Sequence, residues 1–149
     1  MLIKRADREG DPWSGDVAFP GGRVDSEDES FRGTAEREAH EEVDIDLSTH
    51  ARFLGYMDPF QSGRKGIWVV PSLFMMSRAV SVGKSGEVSS HMWVPLRTLV
   101  EPESRSTFTL EAAGDGRSRS FPAFNVKGYV VWGLTERVLS SLIDRVASN

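Results

Sequence analysis

The chain has 149 residues, a formal net charge of −4 and a pI of about 5.4, and 39% of its residues are hydrophobic. This length and composition are typical of one globular domain spanning residues 1–149, with enough apolar surface for a core. The sequence has no cysteine, which excludes disulfides, thiolate metal sites and a cysteine nucleophile. The acidic balance and the scattered basic residues argue against nucleic acid as a partner.

The sequence also argues against a membrane partner. Its longest strongly apolar run, Ile67 to Met76, is interrupted by Pro71 and is too short to span a bilayer. Met1 is followed by Leu-Ile-Lys-Arg, which lacks the pattern of a signal peptide. Together with the absence of cysteine, these features predict a cytoplasmic protein.

The first segment predicts short strands separated by a loop. Residues 1–5 are partly apolar and predict a strand, whereas residues 6–16 are rich in Gly, Pro and Asp and predict a loop. Residues 17–19 form a short extended piece. They run into Pro20-Gly21-Gly22, a turn that requires backbone freedom.

A helix is predicted from about Ser30 to Val43. Phe31, Ala35, Ala39 and Val43 recur at every fourth position, which gives the helix one apolar stripe. The helix therefore has one face for a core and other faces free for polar chemistry.

The rest of the chain predicts further strands, a hairpin and a C-terminal helix. Strands are expected at 51–56, 66–76 and 90–94, a hairpin strand at 107–111 leading into a turn at 114–116, and a helix at about 129–147. Strands separated by a helix and followed by a helix favour a mixed α/β layer fold.

The predicted helix carries three carboxylates on one side. Glu38 and Glu42 are separated by four residues, and Glu41 lies three residues after Glu38. Like charges at this spacing destabilise a bare helix, but a divalent cation reverses that penalty. Arg37, four residues before Glu41, can hold that carboxylate in position, and a carbonyl of the glycine turn can add a neutral metal ligand. The alternative is an ordinary solvated acidic surface.

Gly21-Gly22 followed by Arg37-Glu38-Ala39-His40-Glu41-Glu42 resembles the Nudix box, and the match covers about Gly22 to Ile45. The resemblance implies an α/β/α sandwich with a mixed β-sheet. It also implies Mg²⁺ or Mn²⁺ as cofactor and hydrolysis of the diphosphate of a nucleoside diphosphate derivative, a small-molecule nucleotide substrate.

The match departs from the general box at two places. The spacer from Gly22 to Arg37 is one residue longer, and Asp44 replaces the last glycine. The longer spacer resembles the coenzyme A diphosphatase branch, as do Arg5 and the segment that ends in Phe19-Pro20-Gly21-Gly22. Gly10 stands where that branch has a second arginine, and Arg8 lies nearby.

The resemblance also assigns roles to residues. Glu38, Glu41 and Glu42 would hold the metal with the Gly22 carbonyl, and the general base would be Glu38 or Glu87. Arg5 and Arg23 are the stronger candidates for gripping phosphates, beside Gly21 of the turn, and Arg64 and Lys65 are weaker ones. Among the aromatic residues, Trp13, Phe60 and Trp68 could stack on a base or on a pantetheine arm, although core packing is the expected role of Trp68. Trp93 and Trp132 are also expected in the core.

Nudix domains usually have a further strand before the one that ends in a basic pair, which here is Lys4-Arg5. We therefore expect that the sheet lacks that first strand, or that a partner chain covers its edge, since an open edge invites pairing. A homodimer is compatible with the second case.

Three other functions stay open at this point. The substrate could instead be ADP-ribose, a dinucleotide or a nucleoside triphosphate, because the box performs the chemistry and the surrounding loops select the substrate. The domain could also be a catalytically silent nucleotide-binding module, although all three box glutamates are present. A structural domain with an accidental acidic helix is the weakest alternative.

Overall fold

The computed structural model describes residues 1–63, 66–83, 85–111 and 118–147, which form a succession of short strands interrupted by helices. In chain order the elements are β1 (Leu2–Arg5), β2 (Val17–Ala18), α1 (Phe31–Val43), α2 (Leu47–His50), β3 (Ala51–Tyr56), β4 (Phe60–Gln61), β5 (Trp68–Val69), β6 (Ser72–Met76), β7 (Val88–Met92), α3 (Leu96–Val100), β8 (Arg105–Glu111), β9 (Ser118–Val126), β10 (Tyr129–Trp132) and α4 (Gly133–Ala147). One 3-10 turn, Pro102–Ser104, precedes β8.

Strand β1 lies at the centre of the sheet that positions the site, between β2 and β7. Successive side chains of a strand point to opposite faces, so Leu2 and Ile3 contact different halves of the core. Leu2 packs in one cluster with Leu139 and Ile143 of α4, and Ile3 packs in another with residues of α1. The sheet is therefore covered by a helix on each face, which confirms the expected α/β layer architecture.

The strand pairs differ from the expected mixed sheet. Every pair formed by the described residues is antiparallel: β1 with β2 and β7, β3 with β6, β4 with β5, and β9 with β8 and β10. Parallel pairing needs a long crossover within one sheet. Helix α1 instead connects β2 to β3, which belong to different sheets.

Residues 1–16, all of which are described, contain β1 as their only strand, and β1 ends with the Lys4-Arg5 pair. The expected lack of a further strand before that pair stays a prediction. The alternative, a partner chain over the sheet edge, stays a prediction.

The C-terminal part of the chain differs most from the predicted secondary structure. The predicted helix at 129–147 begins only at Gly133, and Tyr129–Trp132 is strand β10. β10 pairs with β9 through the two-residue turn Lys127-Gly128, whose φ angles are 52° and 85°. The hairpin strand at 107–111 is confirmed as part of β8, while the turn predicted at 114–116 lies outside the described residues.

The other strand predictions were right in kind and differ in their bounds. β3 spans the predicted residues, 51–56, whereas the run predicted at 66–76 is two strands because Pro71 lacks the N–H that a continuous ladder needs. The strand predicted at 90–94 is β7, at 88–92.

The aromatic residues expected in the core are mostly exposed. Trp68 and Trp93 are 61% and 47% exposed, so their predicted core position is wrong. Trp68 lies on β5, a two-residue strand that pairs only with β4 among the described residues. Trp132 is partly buried and stacks on Phe108, with ring centroids 4.2 Å apart.

No helix in the described part of the chain combines the length and apolar character needed to cross a bilayer.

Candidate active site

Helix α1 supplies the acidic residues of the candidate site. It begins after Ser30, whose hydroxyl oxygen accepts a hydrogen bond from the Gly33 N–H at 3.0 Å. It ends at Asp44, a residue in the left-handed conformation with φ 55°. A side-chain cap of this kind stabilises a helix start by about 1 kcal/mol, so the sequence defines both ends of the helix locally.

The three glutamates of α1 differ in burial. Glu42 is 5% exposed, Glu38 is partly buried, and Glu41 is exposed. Their shared side of the helix therefore runs from the protein interior to solvent, with Glu42 at the inner end.

The glycine turn before α1 contacts two of these carboxylates. The Gly21 N–H donates to Glu42 Oε2 at 3.0 Å. A Cβ placed on Gly22 would lie 2.2 Å from Glu38 Oε1, a distance at which either group would have to move. The turn thus requires glycine at residue 22 because the Glu38 carboxylate occupies the space beside its Cα.

Arg37 connects the helix to the segment that precedes it. Its guanidinium donates to Glu38 at 2.9 Å and to Glu41 at 3.3 Å. It also forms a two-point contact with Asp28 at 3.1 and 3.0 Å, and donates to the Arg23 carbonyl at 3.0 Å. Arg37 was expected to orient Glu41, and the structure adds Glu38 and Asp28 to its partners.

Asp28 anchors the Arg37 guanidinium by accepting two hydrogen bonds from it. Its bonds to Arg37 hold the pKa of its carboxyl well below the usual range, and Thr34 Oγ1 donates to it at 2.9 Å. Asp28 lies six positions after Gly22, where the box that this sequence resembles has glutamate. In the structure the Asp28 carboxylate at this position contacts the Arg37 guanidinium.

The electrostatics of the site centre on Glu42. Burial raises the pKa of Glu42 to about 7, and the negative charges of Glu38 and Glu87 contribute to the rise. The Gly21 N–H and the positive charge of Arg5 act in the opposite direction. The fold therefore brings Arg5, Glu38 and Glu87 within electrostatic reach of the same buried carboxylate.

Two further predicted site residues, Arg5 and Glu87, form ion pairs with other side chains. Arg5 Nη2 lies 2.8 Å from Asp11 Oδ2, and Glu87 Oε1 lies 3.0 Å from Arg8 Nη1. Arg23 is exposed and contributes its carbonyl to the site through Arg37. The predicted phosphate contacts Arg64 and Lys65 lie outside the described residues.

The donor atoms of the site fit a hard divalent cation in chemistry. Glu38, Glu41, Glu42 and the Gly22 carbonyl offer only oxygen atoms, which Mg²⁺ and Mn²⁺ prefer. Among the described residues, no set of three acidic or histidine side chains stands ready to hold a metal ion. Glu38 and Glu41 each accept from Arg37 through one carboxylate oxygen, Oε1 and Oε2 respectively, so the second oxygen of each does not contact the guanidinium.

The sequence interpretation did not include Asp11 and Arg8 as parts of the site. Both lie in the loop of residues 6–16, and their side chains reach Arg5 and Glu87 across 6 and 79 positions of sequence. For Asp11 the available signal was the density of charged residues in that loop, and for Arg8 it was also the nearby position of the branch's second arginine. Neither signal identifies a partner side chain.

Comparison with known proteins places these residues in a family context. Residues 1–111 match the model of the NUDIX domain. The peroxisomal coenzyme A diphosphatase ndx-8 of Caenorhabditis elegans is 37% identical over 99 residues, which cover 65% of this chain and 42% of the relative. An uncharacterised protein of Schizosaccharomyces pombe is 33% identical over 133 residues, covering 83% of this chain and 40% of the relative.

A third relative matches along nearly the whole chain. The uncharacterised Nudix hydrolase NudL of Yersinia pestis (strain Pestoides F) is 32% identical over 149 residues, covering 99% of this chain and 72% of the relative. The chain thus spans about two fifths of the length of the first two relatives, at 42% and 40%, and most of the third.

Proposed function

Because this chain belongs to the Nudix family, we propose that it hydrolyses the diphosphate linkage of a nucleoside diphosphate derivative. The observation that carries the proposal is the packing of the glycine turn on the acidic helix. The Gly21 N–H bonds to Glu42, and Gly22 leaves space for the Glu38 carboxylate. The turn and the carboxylates therefore form one site at which a diphosphate can be bound.

We assign the cation to Glu38, Glu41, Glu42 and the Gly22 carbonyl, with Mg²⁺ or Mn²⁺ as the metal. When bound, the cation supplies charge neutralisation for the diphosphate and Lewis acidity for the attacking water. Arg37 sets the starting positions of Glu38 and Glu41, and we assign the side chains of Arg5 and Arg23 to the substrate phosphates.

We assign the general base to Glu87. Glu38, the other candidate, packs against Gly22 and accepts from Arg37, so its carboxylate is committed on two sides. Glu87 is about half exposed, lies directly before β7, and is close enough to Glu42 to influence its pKa. A general base must lie within hydrogen-bond reach of its water, which a half-exposed side chain beside the site can satisfy.

We propose coenzyme A or one of its thioesters as the substrate. Support comes from the nematode relative, which is named a coenzyme A diphosphatase, and from Arg5 and the Phe19-Pro20-Gly21-Gly22 segment. We also propose a cytoplasmic location, because a chain without cysteine is suited to a reducing compartment.

Product analysis tests this proposal. Coenzyme A, ADP-ribose, NADH and a set of nucleoside triphosphates are incubated with Mg²⁺ or Mn²⁺ and the wild type, Glu42→Gln or Glu36→Gln. Glu36 lies on the same helix but pairs with Arg32, so its variant controls for the loss of one carboxylate from α1. We expect metal-dependent release of 3′,5′-ADP and 4′-phosphopantetheine from coenzyme A by the wild type and by Glu36→Gln.

Each outcome has a distinct meaning. In Glu42→Gln we expect turnover to fall by at least about a hundredfold, since one carboxylate ligand of the catalytic cation is lost. Cleavage of a different substrate would keep the chemistry and overturn the coenzyme A assignment. Nucleotide binding without metal-dependent cleavage would overturn the hydrolase and support a silent binding module. Glu87→Gln is assayed in the same way, and unchanged turnover in this variant would overturn the assignment of Glu87 as the general base.

A further inference from the structure

The loop of residues 6–16 supplies counter-ions to two charged groups of the candidate site. Asp11 Oδ2 lies 2.8 Å from Arg5 Nη2, and Arg8 Nη1 lies 3.0 Å from Glu87 Oε1. One short loop thus pairs with both a cationic and an anionic side chain that act electrostatically on Glu42 of the acidic helix. A bound diphosphate would compete directly with the first of these contacts.

Arg5 uses little of its hydrogen-bonding capacity in this state. A guanidinium has five N–H donors, and the described partner of its side chain is one carboxylate oxygen of Asp11. Its Nε is buried and has no hydrogen-bond partner among the described residues. A phosphate group offers more acceptor oxygens than one carboxylate, so Arg5 is better matched to a phosphate than to Asp11.

Arg5 also lies beside the reactive carboxylates. It is the last residue of β1, and the negative charges of Glu42 and Glu87 act on its guanidinium. A phosphate held by Arg5 would therefore be within electrostatic reach of Glu42, which is assigned to the cation, and of Glu87, which is assigned as the base. The Asp11 carboxylate is an anion of similar charge density at that same position.

The loop is organised as a unit that can move with Asp11. The Trp13 N–H donates to Asp11 Oδ1 at 3.0 Å, the Ser14 N–H donates to the Asp11 carbonyl at 3.0 Å, and the Arg8 N–H donates to Ser14 Oγ at 2.9 Å. These bonds lie within the loop and do not depend on Arg5. The bonds around Asp11 can therefore persist when its carboxylate leaves Arg5. The ends of the loop stay tied, since the Ala6 N–H donates to the Glu87 carbonyl at 2.8 Å and Lys4 Nζ donates to the Gly15 carbonyl at 3.0 Å.

We propose that Asp11 is an affinity-determining residue, whose carboxylate occupies the position at Arg5 that a substrate phosphate takes, so that substrate entry displaces the loop of residues 6–16. The inference rests on the proposed function in one respect, namely that the substrate carries a diphosphate. It adds a competitor from the chain itself, which lowers the affinity of the free site for phosphates.

Calorimetric binding of inorganic pyrophosphate, with Mg²⁺ present, tests the proposal on the full chain. The variants are Asp11→Asn and Glu9→Gln; Glu9 is exposed, lies in the same loop and forms no ion pair among the described residues. We expect Asp11→Asn to bind about two- to fivefold more tightly than the wild type, the range set by a part-exposed ion pair. Glu9→Gln should change the affinity less than about 1.5-fold, because only a screened charge is lost.

The Arg5→Gln and Arg5→Gln/Asp11→Asn proteins complete a double-mutant cycle between Arg5 and Asp11. If Asp11 acts through Arg5, the gain from Asp11→Asn disappears in the Arg5→Gln background. Equal affinities of Asp11→Asn and Glu9→Gln, or a gain that persists without Arg5, would overturn the proposal. Thermal unfolding of each variant separates a change in binding from a loss of folded protein.

Amide hydrogen exchange of the wild type gives a second readout that needs no variant. Exchange in residues 6–16 should become faster when pyrophosphate is added, because the loop loses its contact with Arg5. Slower exchange there would mean that the loop closes over the ligand and would overturn the proposal. Neither measurement depends on turnover, so tighter pyrophosphate binding in Asp11→Asn without hydrolysis of any substrate would refute the hydrolase alone.

Discussion

At Glu42, burial and the neighbouring negative charges both disfavour the ionised carboxylate. Its pKa is raised from 4.5 to about 7, first by burial and then by neighbouring carboxylates. Between these two pH values the folded protein retains a proton that the unfolded chain has released. Stability should therefore fall as pH rises from 4.5 to 7 and stay level above 7, where both states are ionised.

This pH dependence can be measured by urea unfolding of metal-free protein in EDTA. Allowing for solvent screening, we expect the wild type to lose about 1–2 kcal/mol more than Glu42→Gln between pH 5 and pH 8. The glutamine variant is the control, since it cannot ionise at this position. Parallel pH profiles for the two proteins would contradict the raised pKa.

Gly22 makes a separate prediction at the residue scale. Gly22→Ala places a methyl group 2.2 Å from the present position of Glu38 Oε1, so Glu38 must turn away. We expect turnover to fall by at least about tenfold, because the catalytic geometry tolerates little displacement. Gly63→Ala is the control, since nothing lies within 4 Å of a Cβ at that residue. Equal turnover of the two variants would show that the Gly22–Glu38 contact is dispensable.

At the residue scale, the sequence predicted side chains that share a helix and missed those that meet across a loop. Glu38, Glu41 and Glu42 follow from helical spacing alone. The contact of Asp11 with Arg5 depends on the path of a loop without periodicity, so no spacing rule identifies it. The relative positions of side chains on one helix can be inferred from sequence, whereas ion pairs formed by loop residues can be identified only from the three-dimensional structure.

At the scale of the element, α1 depends on Arg37 for its connection to the preceding segment. Arg37→Lys keeps one positive charge but cannot reproduce the planar, two-point contact with Asp28. We expect a loss of about 1–2 kcal/mol in unfolding free energy. Turnover should also fall by at least about tenfold, because Glu38 loses its orienting partner.

Arg32→Lys provides the matched control on the same helix. Arg32 pairs with Glu36 at 2.8 Å on an exposed surface, so the exchange should cost less than about 0.5 kcal/mol. Urea unfolding and initial rates of both variants decide the matter. Similar effects of the two exchanges would mean that Arg37 is an ordinary surface cation.

Elements with a clear periodicity were easier to predict than paired strands. The stripe of Phe31, Ala35, Ala39 and Val43 predicted α1; Ala39 and Val43 are buried, Ala35 is partly buried, and Phe31 at the helix start is 49% exposed. Strand β9 was missed because Pro122 and several polar residues interrupt its pattern. The turn at Lys127-Gly128, between Val126 and Tyr129, was the available signal for the β9–β10 hairpin.

At the scale of the whole molecule, β10 shows how one strand separates core from solvent. Val131 is fully buried beside α4, whereas its neighbour Val130 is 41% exposed on the opposite face. We expect Val131→Ala to cost about 2 kcal/mol of unfolding free energy, from lost burial and the cavity left behind. Val130→Ala should cost less than about 1 kcal/mol, since its side chain remains partly hydrated.

Thermal and urea unfolding of the two valine variants would measure that difference directly. Equal costs would mean that the layer of α4 does not pack on β10 as described. The layered arrangement itself was predictable from the alternation of helical and strand patterns. The antiparallel pairing was not, because sequence patterns do not specify which strands become neighbours.

The pairing of β1 has a consequence for how the chain folds as it is made. Leu2 pairs with Met92, so one neighbour of the central strand is synthesised long after the strand itself. At typical ribosomal speeds of about 5–20 residues per second, this interval is roughly 5–20 seconds. During that time β1 has only the short β2 as a partner, and the apolar Leu2 and Ile3 are without their final cover. The acidic helix is complete well before the sheet beneath it, so the site can be assembled only after β7 has left the ribosome.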